Sequence, residues 1–174
     1  MTMIRKTISI LLASATLMSL AGCGIIGKKS IPEEWYKDAI EYYRDAAQNG
    51  AANESTEFFI SSDMRDPGSG TKFGYTLVDL DGDGAEELLI GIVDDDSHTK
   101  FTNVVVYHSD LGPYCLLSGG EGYYIYLCND NCLREDSWYG SETKTQYMKY
   151  NHENNAFTIV EGKYLAKKVE LTPF

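Results

Sequence analysis

Asp79, Asp81, Asp83 and Glu87 crowd into one short turn of the stretch YTLVDLDGDGAEELLIGIV, residues 75–93. Like charges this close repel by on the order of 1 kcal/mol per pair in a watery setting. Such a turn invites a cation. Counted from Asp79, carboxylates fall at the first, third, fifth and ninth positions, with Gly84 at the sixth. A hard ion such as calcium takes about six to eight oxygens, and alternate side chains plus a backbone carbonyl can converge on it. Ala85, at the seventh position, offers its carbonyl whatever its side chain, while Gly82 and Gly84 permit the tight backbone path. The alternative is an acidic, metal-free hairpin turn.

An EF-hand or dockerin loop places a bidentate Glu at its twelfth position and continues into a helix. Here the twelfth position is Ile90, and ELLIGIV reads as a buried strand, so that reading fails on a ligand and on an element. The stretch instead resembles the calcium loop of FG-GAP repeats, D-x-D-x-D-G-x-x-D between two strands. That resemblance implies Asp79, Asp81, Asp83, Ala85 through its carbonyl, and Glu87 as calcium ligands, with Glu87 standing where the family has Asp. The segment DLDGDGAEELLIG is also similar to one found in uncharacterised lipoproteins of Gram-positive gut bacteria. The likeness covers the signal region and residues 73–91. A single copy of the loop does not imply a propeller, since the chain supplies at most about two four-stranded blades.

Other candidates are weaker. Asp94 to Asp96 suit a second ion or a solvated loop, and His108, Ser109 and Asp110 read as a strand end rather than a triad, so no catalytic constellation is expected. In CNDNC, Cys128 and Cys132 flank a three-residue turn and can either form a disulfide or stay as buried thiols; with Cys115 the number is odd. A zinc site would want more ligands than His98, His108 and His152 supply at their scattered spacing. Tyr124 and Tyr126 share one strand face and Tyr123 the other. They serve as strand formers or as a platform for glycan or peptide.

Strands must position the loop. From Phe73 onward, short β-branched and aromatic runs alternate with turns: FGYTLVD, ELLIGIV, TNVVVYH, PYCLLS, YYIYLC, LREDSWY, KTQYMKY, AFTIV and KYLAKKVEL. This predicts an α+β, mainly β domain, an antiparallel meander of packed sheets or propeller-like blades. One N-terminal amphipathic helix should cover a face. Ser30 and Glu33 fit a capping box, Pro32 the first turn, and Trp35, Ala39, Tyr42 or Tyr43, and Ala46 an apolar stripe that ends at Asn49-Gly50. STEFFISS reads as a short helix or strand, and DMRDPGSG as a loop.

The beginning of the chain is a different kind of segment. MTMIRK carries Arg5 and Lys6, an apolar run of signal length follows, and LAGC then ends at Cys23. Small residues before such a cysteine resemble the bacterial lipobox, which implies cleavage before Cys23 and a diacylglyceryl group on its thiol. A secretory signal with an incidental cysteine is the alternative. Residues 1–22 are thus expected to be the signal, 23–30 a tether and 31–174 a single globular domain. With 15 Lys+Arg against 26 Asp+Glu, the net charge is −11, which disfavours nucleic-acid partners. The expectation is a lipid-anchored, calcium-binding interaction module on the extracytoplasmic face of the cell membrane, with a surface glycan or protein as partner. A glycan- or peptide-binding accessory lipoprotein is the alternative, and an extracellular hydrolase the third.

Overall fold

The computed structural model describes residues 33–50, 55–93 and 98–174. Cys23, the Ser30–Pro32 cap and Asp94 to Asp96 lie outside the described residues. The chain is mainly antiparallel β-sheet with one long helix. No helix among the described residues is long and apolar enough to cross a membrane.

A 3-10 turn, Glu33–Tyr36, leads into α1, Lys37–Asn49. The helix buries Tyr36, Ala39, Ile40, Tyr43 and Ala46, positions that recur every three or four residues on one face. Trp35 does not belong to that face: it is 40% exposed, whereas Tyr36 is fully buried. The reason is the tighter winding of the 3-10 turn, which places residue 36 rather than 35 one turn before Ala39. Gly50, at φ 80°, ends the helix, its N–H donating to Ala46 O. A short helix α2, Ser62–Arg65, is capped by Ser61, whose side chain accepts from Met64 N–H.

Nine strands follow: β1 Lys72–Val78, β2 Glu87–Val93, β3 Lys100–His108, β4 Gly112–Ser118, β5 Tyr123–Leu127, β6 Leu133–Tyr139, β7 Glu142–Asn151, β8 Ala156–Val160 and β9 Thr172–Pro173. The expected packed sheets or blades are replaced by one continuous hydrogen-bonded network in the order β8-β7-β6-β5-β3-β2-β1-β9, with β4 added to β3. The meander is interrupted at β3, which pairs with β5 through Lys100 and Phe101 and with β4 from Asn103 onward. Between these halves Thr102 is an extra residue opposite the Ile90–Gly91 pair of β2. A bulge of this kind bends a strand and reverses which face its side chains take.

Opposite faces of β2 and β3 feed two cores. Leu88, Ile90 and Val105 pack with the α1 face, Phe73 and Tyr75. Leu89, Val104 and Val106 pack with Ile125, Leu127, Leu133 and Met148 of β5 to β7. The sheet folds back so that its second half covers the face that α1 leaves open.

KYLAKKVEL, expected as a strand, forms none. Residues 161–171 cross instead from the β8 edge toward β9, held by Lys167 N–H on Leu127 O (2.8 Å) and Val169 N–H on Thr99 Oγ1 (2.7 Å). Paired lysines break the apolar alternation a strand needs there.

Candidate metal site

The acidic turn connects β1 to β2, whose register runs from Lys72↔Val93 to Val78↔Glu87. Pairing of the two strands fixes both ends of the loop. Within it, Gly82 and Gly84 take φ of 84° and 90°, a left-handed path that costs a residue with Cβ about 1–2 kcal/mol. The tight path turns backbone amides toward the carboxylates. Gly82 N–H and Gly84 N–H donate to Asp79 Oδ1 (2.7 Å) and Oδ2 (3.1 Å). Asp83 N–H donates to Asp81 Oδ1 (3.3 Å), and Ala85 N–H to Asp83 Oδ1 (2.6 Å).

Glu87 differs from the other three carboxylates because it opens β2 and points inward. It is 4% exposed. Leu80 N–H donates to its Oε2 (2.8 Å), and Oε1 accepts no hydrogen bond among the described residues. Burial, reinforced by the charges of Asp81, Asp83 and Asp79, raises its pKa to about 8 against the hydrogen bond from Leu80. A carboxylate placed so expensively needs either a proton or a cation.

Two neighbours were not legible in the sequence. His152, in the β7–β8 turn, brings its Nδ1 within 2.6 Å of Asp81 Oδ2 and 3.5 Å of Asp83 Oδ2. Its backbone N–H donates to the same Asp81 oxygen (2.9 Å). The hydrogen bond to Asp81, chiefly, raises its pKa. The ligand atoms of Asp81, Asp83 and His152 all lie within 4.8 Å of one another. On the other flank, Asn131 Nδ2 donates to Asp79 O (2.7 Å), so the cysteine turn props the start of the acidic one. Tyr36 hydroxyl donates to Glu86 O (2.9 Å), which ties the beginning of the helix to the loop exit.

The predicted ligands are thus divided. Asp81 and Asp83 converge with His152, Asp79 serves the loop amides, and Asp83, Ala85 and Glu87 line an adjoining cleft. That cleft, of about 520 Å³, is walled by Trp35 and Tyr107, whose ring centroids are 4.6 Å apart. No family model matches the chain, and neither a curated protein nor a solved structure is similar to it.

The remaining sequence candidates fall elsewhere. Ser109 Oγ donates to Asp110 Oδ1 (3.4 Å) and Asp110 N–H to His108 Nδ1 (3.2 Å), at the β3–β4 hairpin tip. Cys115, Cys128 and Cys132 are buried free thiols. Tyr124 lies edge-on to Trp138 at 4.8 Å, and Tyr126 lies under the Arg134 guanidinium at 5.0 Å, on the face of β5 and β6 away from the second core.

Proposed function

We propose that this protein is a lipid-anchored binding module of the cell surface, with calcium held as a structural ion by Asp79, Asp81, Asp83, the Ala85 carbonyl and Glu87. Glu87 carries the reading. A buried carboxylate that accepts a single hydrogen bond, beside three more carboxylates on a glycine-shaped loop, is the environment that a divalent cation relieves. The acyl chains on Cys23 would hold the module at the membrane, each buried methylene contributing about 0.8 kcal/mol.

Two measurements test it. Calorimetric titration of the full chain in detergent should show one calcium site in the 0.1–1 mM range, roughly that of extracellular modules, and Asp81→Ala should abolish it. No heat up to several millimolar calcium would leave the turn metal-free. Mass spectrometry should find a mature terminus at an acylated Cys23, and another terminus would remove the anchor from this reading.

His152 favours a second reading. A nitrogen donor beside two carboxylates suits zinc or manganese better than calcium. Under the calcium reading, His152→Ala leaves calcium affinity within a few-fold; under the zinc reading it removes zinc binding.

A further inference from the structure

We infer that the open face of β5, β6 and β7 binds a neutral oligosaccharide, whose rings stack on Trp138 and Tyr124 and whose hydroxyls meet Arg134 and Thr145. This rests on the binding-module reading, gives it a ligand and a surface, and needs no ion. Strand register brings the groups together. Tyr124 opposes Asp136 and Asp136 opposes Thr145, while Tyr126 opposes Arg134 and Arg134 opposes Tyr147. Side chains directly opposite share a face, here the one turned away from the second core. Trp138 lies two residues beyond Asp136 on β6, so the same face carries it. From Arg134 to Trp138 the row runs about 13 Å, longer than a single sugar ring.

The groups are also held in place. Trp138 is 41% exposed, and Tyr124 stands edge-on to it at 4.8 Å. Lys100 Nζ lies 5.5 Å from the centre of the Tyr124 ring, and the Arg134 guanidinium 5.0 Å from that of Tyr126. Rings braced in this way lose little freedom when a ligand stacks on them. Between them Asp136 is 5% exposed, although it sits on the solvent side of the sheet. It accepts from Arg134 Nε (3.0 Å), Arg134 Nη2 and Thr145 Oγ1 (2.7 Å). The carboxylate thus fixes a guanidinium that keeps its other Nη for a ligand oxygen.

Chemistry and charge select the ligand. Between β5 and β7 this face carries no aliphatic side chain, since Thr143, Thr145 and Lys149 complete it. Single rings set among polar groups suit a molecule with C–H faces and hydroxylated edges. The core of a protein interface is more continuously apolar. Lys100, Arg134 and Lys149 against Asp136 turn away cationic ligands, while the chain's net charge of −11 turns away polyanions. A neutral sugar chain meets both conditions.

The test uses the full chain in detergent, with Trp35→Phe so that Trp138 is the only tryptophan. Cellopentaose, mannopentaose and chitopentaose are titrated against Trp138 fluorescence in 5 mM calcium and in EDTA, beside polygalacturonate. Saturable binding of at least one neutral pentasaccharide is expected, with a sub-millimolar Kd that is equal in calcium and EDTA. Polygalacturonate should not bind. Trp138→Ala, read by calorimetry, should weaken binding about tenfold or more, and Tm should hold within about a degree or two because the indole is exposed. Binding of none of the pentasaccharides, or binding untouched by Trp138→Ala, would overturn this inference, while calcium titration and the mature terminus would still decide the wider reading. A preference for polygalacturonate would overturn the neutral ligand. Self-association in sedimentation, lost in Trp138→Ala, would put a second copy of the chain on this face instead.

Discussion

Two tight turns touch each other in this molecule and treat their reactive groups in opposite ways. The Asp79–Glu87 loop collects five carboxylates and buries one of them, Glu87. The Cys128–Cys132 turn collects two thiols and buries both, closing with Cys128 N–H on Cys132 O (2.8 Å). Asn131 joins the two turns through Asp79. A thiol can be buried as a neutral group, and burial raises the Cys128 pKa to about 11, so it stays protonated and unreactive. A carboxylate can be buried only with a proton or a partner. The cysteine turn is therefore complete as folded, whereas the acidic turn depends on what it meets in solution.

The strongest test of that contrast removes the support of each turn. Tyr36→Ala, under the acidic loop, and Leu133→Ala, beside the cysteines, should each destabilise the domain by about 3 kcal/mol in denaturant melts. Only Tyr36→Ala should also weaken calcium binding, because only it releases the loop exit at Glu86. Equal calcium affinity in both variants would mean that the loop is held by its strands alone.

The next effect is electrostatic. Without calcium, the Glu87 pKa is higher folded than unfolded, so the folded state keeps a proton that the unfolded state has lost. Stability should then fall as pH rises from about 4.5 to 8, by on the order of 5 kcal/mol. Calcium should flatten that slope. Glu87→Gln, neutral at every pH, should be the more stable protein at pH 8 without calcium and should no longer respond to the ion. A calcium-free pH profile that rises over this window would show Glu87 already ionised and otherwise compensated.

Chelation comes third. At millimolar calcium and a Kd of 0.1–1 mM, the bound ion contributes about 0.4–1.4 kcal/mol, so EDTA should lower Tm by a few degrees without unfolding the chain. The smallest effect belongs to the cysteine turn. Reductant should leave Tm within about a degree, and iodoacetamide should label no cysteine of the domain until denaturant is added. A fall of several degrees on reduction would mean that Cys128 and Cys132 are bonded to each other.

Local pattern made much of the architecture legible. ELLIGIV, LREDSWY and AFTIV match β2, β6 and β8 residue for residue, and the chain from Phe73 to Val160 reads as strands and turns. Alternation and turn residues are short-range signals, and they survive folding unchanged. Of the residues read as a helical stripe, Ala39, Tyr43 and Ala46 are buried and Trp35 is not; Tyr36 takes its place through a 3-10 turn that composition does not announce, and Ile40 joins the buried face unread. KYLAKKVEL was misread because a segment bridging distant parts of one sheet carries β-branched and apolar residues without pairing as a strand. The bulge at Thr102 left no trace in the sequence, yet it puts Phe101 on the same face as Val104 and Val106 in the second core.

The acidic loop followed from sequence alone, since its carboxylates and glycines are neighbours along the chain and their spacing sets a turn. Its environment did not. His152 lies 71 residues from Asp81, and Asn131 lies 52 from Asp79; only strand pairing across the sheet brings them together. The burial of Glu87 is likewise a tertiary result. It arises where β2 is covered, and the same residue at an exposed strand end would carry its charge into water at little cost. Sequence determined which groups a cation would meet, because ligand type and spacing are covalent facts. Tertiary structure decided how much the site needs one, because the cost of a charge is set by what surrounds it.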